Sequence, residues 1–227
     1  MAVTATMLEG DIAERLDRVR RRIVDAGGSL DGMRIVAVTK GFGAEAVEAV
    51  VAAGLHDVGE NYAQELEAKL AGTAARGVRW HFVGHVQRNK VKRIAAGVHL
   101  WQAVDRLSAG VEIARRAPGA AVLLQVNASG DPAKHGCDFE AAPALVEALA
   151  ALDLDVRGLM AVGPAGDPEL ARPGFRRVVE LADHLGLPER SIGMTDDLEV
   201  AVQEGSTMVR VGRALFGPRS RRPDLRP

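Results

Sequence analysis

A single (β/α)₈ barrel is the fold this 227-residue chain predicts, on three observations. Eight short apolar runs recur at fairly even intervals. Ala-, Glu- and Leu-rich segments of helical periodicity separate most of them. The runs are apolar on both faces, as strands are when crossover helices cover them on each side. The length lies near the lower end for such a barrel, so one domain over residues 1–217 is expected, with little room for a second. A doubly wound open sheet is the competing fold, but no strand is followed by G-x-G-x-x-G.

The elements follow in order. Leu8, Ile12, Leu16, Val19 and Ile23 recur at helical spacing and predict an amphipathic opening helix, ended by Gly27 and Gly28. The strand candidates are RIVAV (34–38), HDVGE (56–60), WHFVG (80–84), VHLWQAV (98–104), AVLLQVN (121–127), VRGLMAV (156–162), RSIGM (190–194) and TMVRVG (207–212). EAVEAVVAAG and APALVEALAAL are two of the intervening helices. The tail GPRSRRPDLRP is rich in proline and arginine, and residues 218–227 are expected to be unpacked.

Composition removes several function classes. Hydrophobic residues make up 47% and charged residues 26%, an ordinary balance for a water-soluble domain. Lys plus Arg is 29 against 30 for Asp plus Glu, so no basic field argues for nucleic acid. One cysteine, Cys137, cannot build a disulfide framework and suits a reducing compartment. The acidic N-terminal segment is no signal peptide, and no apolar run is long enough for a bilayer. A cytoplasmic protein with no membrane partner is expected.

In a barrel of this kind chemistry sits at the C-terminal ends of the strands. Those positions carry Lys40, Glu60 and Asn61, His81 with His85, Gln102, Asn127, Met160, Met194 and Thr195, and Arg210 with Gly212. Lys40 follows four apolar residues and Thr39. It is either an ammonium reaching out of the mouth or an amine in a partly dry pocket, where it can condense with an aldehyde. Asn61 is either a helix N-cap or a ligand contact. His81 and His85 lie four apart, but on a strand ending in glycine, and no cysteine or acid nearby completes a metal set; no metal is expected.

The block GMTDDLEVAVQEGSTMVRVGRALFG (193–217) is the densest. Thr195 before Asp196 and Asp197 reads as a helix cap or as part of an anion site, and Gly212 after the last strand repeats the theme. The two aspartates oppose a phosphate there unless they point away. Arg210 lies within the last strand, where a carboxylate or a ligand atom must meet it. An amine on the first strand, an anion cradle after the last two and an arginine between them imply an aldehyde bearing a phosphate. Pyridoxal phosphate has that form.

The same residues carry a resemblance. AVTK (37–40), GENYAQE (59–65), WHFVGHVQRNK (80–90), LLQVNASGDPAKHGC (123–137), GLMAV (158–162) and the 193–217 block resemble the YggS/PROSC family of pyridoxal phosphate homeostasis proteins, in the same order over nearly the whole chain. The resemblance implies a single barrel similar to the N-terminal domain of alanine racemase, without that enzyme's second domain. It implies pyridoxal 5′-phosphate held as a Schiff base on Lys40, with Thr195, Gly212 and, by its backbone, Arg213 at the phosphate, and Met194 also among the cofactor-binding residues. It further places Arg210 at the pyridine nitrogen, and Asn61 and His81 near the ring. The family more often has Ser at positions 39 and 195, and a Lys-x-Lys-Pro-like stretch where Gly41 and Phe42 stand.

Carrier and enzyme remain two readings. An arginine against the pyridine nitrogen disfavours ring protonation and weakens the cofactor as an electron sink. Racemisation needs a second base, and Tyr62 is the one tyrosine in the chain. These points favour a monomeric protein that binds and buffers the cofactor, and that passes it to pyridoxal-phosphate-dependent apo-enzymes. The alternatives are a weak amino-acid racemase or lyase, and a phosphate-sugar barrel enzyme with no covalent cofactor.

Overall fold

The computed structural model of the chain describes residues 5–131 and 134–217, with side chains from residue 11 onward. The expected tail, 218–227, lies outside the described residues, as does the side chain of Leu8. Helix α1 (Ala5–Asp25) opens the chain, and β1 (Arg34–Val38), α2 (Ala44–Ala52), β2 (Asp57–Glu60), α3 (Ala63–Gly72), β3 (Arg79–Phe82) and α4 (Arg88–Ile94) follow. Then come β4 (Val98–Val104), α5 (Leu107–Arg116), β5 (Ala121–Gln125), α6 (Ala142–Ala150) and β6 (Asp155–Met160). The series ends with α7 (Arg172–His184), β7 (Glu189–Ser191), α8 (Leu198–Gln203), β8 (Met208–Val211) and α9 (Arg213–Phe216).

Each strand pairs in parallel with the next and β8 closes on β1, so the sheet is a closed barrel in sequence order. All eight expected strands form in the expected places. Most stop short of their expected C-terminal ends, and the surplus residues are the loops of the mouth. Strand β5 ends at Gln125 because Val126 makes only an isolated bridge to Cys137. Strand β7 ends before Gly193, whose φ of +95° takes the backbone out of the strand.

The core has two compartments. Between sheet and helices lie large side chains such as Trp101, Ile113, Leu149 and Phe175, all with no exposed surface. Inside the barrel a smaller set, including Val36, Leu100, Leu123, Met160 and Met208, fills the lumen. Helix α1 joins the outer compartment through Ile12, Leu16, Val19 and Ile23, all essentially unexposed. Each such burial contributes roughly 1.5–3 kcal/mol before chain entropy is counted. The helix ends as the glycines predict. Gly27 adopts φ +92° and donates to Val24 O, and Gly28 N donates to Ile23 O, closing the last turn.

Helix α1 also braces the mouth. Arg22 grips Glu199 with both Nε (2.6 Å) and Nη2 (2.7 Å), and Nη2 also donates to Thr195 O at 2.8 Å. Arg15 Nη1 donates to Leu215 O at 3.0 Å. The loop after β7 and the helix after β8 are thus both pinned by a helix outside the barrel repeat.

Candidate functional site

A cavity of about 550 Å³ opens at the C-terminal mouth of the barrel. Lys40, Asn61, Met194, Thr195, Arg210, Gly212 and Arg213 all line it, though they come from four loops or strands far apart in sequence. Of the residues the sequence singled out as a ligand set, His81 alone does not line it.

Lys40 owes its position to a turn. Phe42 N donates to Thr39 O at 3.0 Å, making Lys40 the second residue of a β-turn and Gly41 the third, with φ +80°. Glycine adopts that conformation without cost. Gly41 N then donates to Glu65 Oε2 at 2.8 Å, tying the turn to α3. Beneath it lies a fully buried cluster that the sequence did not announce. Thr39 Oγ1 donates to Glu60 Oε1 at 2.6 Å, and Lys69 Nζ donates to Thr39 O at 2.8 Å and to Glu60 Oε1. Burial pushes the Glu60 carboxyl above its usual range, against the pull of the Lys69 ammonium.

Asn61 is not a helix cap. Tyr62 occupies the N-cap position of α3, and Asn61 faces the cavity instead. Tyr62 itself is 55% exposed and belongs to a neighbouring depression, not to the cavity of Lys40.

Thr195 does not cap α8 either. Its Oγ1 accepts from Ala214 N at 3.3 Å, joining the loop after β7 to the first turn of α9. The two aspartates do not point away from the cavity, since both line it, but each has a partner. Asp197 Oδ1 accepts from Met194 N at 2.6 Å and fixes the Gly193–Met194 turn, while Asp196 pairs with the exposed guanidinium of Arg213. What Arg213 offers the cavity is therefore mainly its backbone at the start of α9, where Ala214 N is taken by Thr195 Oγ1 and Leu215 N by Gly212 O.

Arg210 is 4% exposed and meets no carboxylate by hydrogen bond, contrary to one expectation. Nη1 donates to Ser191 O (2.6 Å) and Oγ (2.5 Å), and Nη2 donates to Ala161 O (2.8 Å). Three hydrogen bonds use only part of a guanidinium's five donors. Burial lowers its pKa to about 10, opposed by the nearby Asp197, and it stays cationic at neutral pH.

From Arg210 a chain of hydrogen bonds crosses the lumen. Its polarity follows from its two ionic ends. Because Ser191 Oγ accepts from Arg210, its own proton goes to Gln102 Oε1 at 2.7 Å. The amide thus turns Nε2 toward His81 Nδ1 at 2.7 Å, and His81 Nε2 donates to Asp57 Oδ1 at 2.8 Å. Asp57 in turn is held by Arg79. Every link requires His81 to be the neutral Nε2–H tautomer, and burial also depresses its pKa. Asp57 stays ionised, its pKa well below the usual range because hydrogen bonds from Arg79 and His81 outweigh the burial that opposes them. His81, expected beside the ring, is instead a strut inside the barrel. It lies within β3, which ends one residue later at Phe82.

Several lining residues escaped the sequence reading: Phe42, packed on Phe216 at 4.8 Å between centroids, Lys134 after β5, and residues 163–166 after β6. Lys134 lies inside one of the quoted motifs, which was the available signal. His85 parts company with His81 and sits at the rim, 3.3 Å from Asp105 Oδ2 and stacked on His135.

Comparison with known proteins agrees with this geometry. The family model for the alanine racemase N-terminal domain matches residues 11–220. The pyridoxal phosphate homeostasis protein of Pseudomonas aeruginosa is 42% identical over 217 residues, covering 92% of this chain and 94% of that protein. PipY of Synechococcus elongatus, solved with PLP bound, superposes with a TM-score of 0.79 at 31% identity, over 91% of this chain and all of PipY. Alanine racemase from Corynebacterium glutamicum shares the fold, with a TM-score of 0.71 at 16% identity, over 93% of this chain and 62% of the racemase.

Proposed function

The chain belongs to the family of pyridoxal phosphate homeostasis proteins, built on the alanine racemase N-terminal-domain fold, and from that premise we propose that it holds pyridoxal 5′-phosphate covalently on Lys40 and buffers or transfers it inside the cell. One observation carries the reading: an amine, a hydroxyl, a glycine-floored turn and a buried guanidinium, from opposite ends of the sequence, face one cavity.

The residues fit the cofactor. A Cβ on Gly212 would come 3.2 Å from Val38 O, so glycine lets the end of β8 pass close to β1 at the mouth. A Cβ on Gly163 would come 2.7 Å from Asp197 Oδ2, so glycine there lets Asp197 hold the Met194 turn. The volume suits a ligand of this size.

Pyridoxal phosphate supplies an aldehyde that a lysine amine captures reversibly. The turn at Thr39–Phe42 presents the Lys40 amine, and Lys69 and Glu60 hold that turn from below. Thr195 Oγ1 and the backbone of Gly212 and Arg213 would hold the phosphate. Arg210, held by Ser191 and Ala161, has donors left that would meet the pyridine nitrogen and would disfavour its protonation. Met194 and Asn61 flank the ring. The racemase alternative needs a second base, and the one tyrosine of the chain faces a different depression. Among the described residues no helix is long and apolar enough to cross a membrane. The reading extends to a cytoplasmic monomer that donates to apo-enzymes.

Absorbance of the purified protein tests this. The wild type should show a visible band that borohydride bleaches while fixing the adduct on Lys40, and Lys40→Ala should show none. A wild type that takes up pyridoxal phosphate with no such band, or an adduct mapped to another lysine, would refute the assignment.

A further inference from the structure

Outside the cavity, three potential metal ligands converge. His85 follows β3, Asp105 follows β4 and His135 follows β5, and one ligand atom from each lies within 4.8 Å of the others. The loops are separate in sequence, so the convergence is a product of the barrel. We propose that His85, Asp105 and His135 form a binding site for a borderline divalent transition metal such as zinc at the rim of the mouth.

Geometry supports more than an ion pair. His85 Nδ1 is buried and lies 3.3 Å from Asp105 Oδ2, yet forms no hydrogen bond. An unsatisfied buried imidazole nitrogen facing a carboxylate oxygen leaves a space both can share with a cation. The rings of His85 and His135 stack at 4.2 Å and 21°. In a tetrahedral zinc site, ligand atoms about 2.0–2.2 Å from the ion lie about 3.3 Å from one another. To reach that spacing the exposed His135 ring has to turn out of its stack on His85.

The carboxylate is already oriented from behind. Arg106 Nη1 donates to Asp105 Oδ1 at 2.5 Å, and Arg106 Nη2 donates to Val86 O at 2.6 Å, leaving Oδ2 turned to the histidines. Such outer partners fix the ligand's direction. Two imidazoles and one carboxylate, with coordination positions left for water, suit zinc or its neighbours in the first transition row, and not magnesium or calcium. The ion ties three loops together beside the cavity, next to Lys134.

Zinc binding to the full untagged chain, measured by equilibrium dialysis with and without pyridoxal phosphate, tests the site; cobalt reports coordination geometry by its visible bands. One equivalent of zinc is expected in both conditions, and tetrahedral cobalt bands that zinc displaces. His85→Ala and His135→Ala should each weaken binding by about 100-fold or more, since even outer-shell changes cost about 10–100-fold. His184→Ala, on an exposed helix end, should leave it unchanged. Thermal midpoints near wild type for the rim variants exclude misfolding as the cause. Binding that requires the cofactor, that survives the double variant His85→Ala/His135→Ala, or that is absent altogether would overturn the proposal. The proposal does not depend on Lys40 chemistry.

Discussion

The barrel has a cavity at each end, and the larger is not the candidate site. The depression at the N-terminal end has about 730 Å³ against about 550 Å³ at the mouth, and its lining includes Arg20, Arg34 and Arg79. There, however, each arginine faces a carboxylate of its own: Arg79 on Asp57, Arg34 on Glu189 and Arg20 on Asp17. At the mouth the buried Arg210 is met by two carbonyls and a hydroxyl, which fix its direction without neutralising it. Opposite charges already paired leave little field for a ligand, whereas a directed cation that shares no salt bridge, with Asp197 only nearby, leaves more. Capacity to bind follows from donors left over, not from volume.

The largest way to break that contrast is beneath Lys40. Lys69→Met keeps most of the side-chain volume but strands the fully buried Glu60, whose Oε2 already lacks a partner. Removing one partner of a buried pair costs roughly 3–5 kcal/mol, and urea unfolding should record a loss of that order. The double variant Lys69→Met/Glu60→Gln should recover part of it. A loss of less than about 1 kcal/mol would mean that water reaches Glu60 and that the mouth is no drier than the opposite face.

A middle-sized effect is expected along the lumen. Ser191→Ala removes an acceptor of Arg210 and the donor to Gln102 Oε1, leaving Arg210 only the backbone oxygens of residues 191 and 161. A buried group left unsatisfied costs about 1–3 kcal/mol. If the chain directs Arg210, pyridoxal phosphate affinity should drop by about 10-fold, the equivalent of about 1.4 kcal/mol. Unchanged affinity with reduced stability would restrict the chain to a structural role.

How much of this was legible depended on sequence distance. The strands were visible because each is an apolar run, and Lys40, Thr195, Arg210 and Gly212 because polar residues at the ends of such runs stand out. Lys69 did not stand out: a lysine in AQELEAKLAG reads as a solvated helix face, and only the closed barrel shows that α3 turns it inward onto Thr39. His81 was expected near the ring from the resemblance alone, and no spacing in the sequence shows that its side chain turns into the lumen, between Asp57 and Gln102. Asp105 and His135 were missed as companions of His85 for a related reason. Adjacent parallel strands bring neighbouring loops together whatever their spacing in sequence, so a search for nearby acids and cysteines could not find them.

The lumen chain also predicts a pH dependence. Buried His81 has a folded pKa below its unfolded value, so the unfolded chain takes up its proton first. Stability is therefore highest above the unfolded histidine value of about 6.5 and falls as pH drops from there toward the folded value. Asp57 stays ionised through that window and does not contribute to the fall. The partly exposed His85 and His99 are depressed as well, so the assignment needs His81→Gln. That variant should be less stable overall but should lose less stability between about pH 7.5 and pH 5.5 than the wild type. An identical slope would place the proton elsewhere.

The smallest effect should come from the larger cavity. Arg34 Nη1 lies 3.3 Å from Glu189 Oε1, with about a third of the arginine side chain exposed. Pairs of that kind contribute roughly 0.2–1 kcal/mol, because water screens the attraction and the long side chain loses freedom in making it. Arg34→Ala should therefore shift the urea midpoint only slightly and leave pyridoxal phosphate binding unchanged. Adding inorganic phosphate or a free nucleotide should not raise the thermal midpoint of the wild type through this face, since Glu189 and Asp57 already neutralise it. In Glu189→Gln the same addition should stabilise measurably, because one arginine is then released. If Arg34→Ala weakened cofactor binding as strongly as Ser191→Ala, the two ends would be coupled through β1, and the pairing of charges at the N-terminal face would be part of the cofactor site after all.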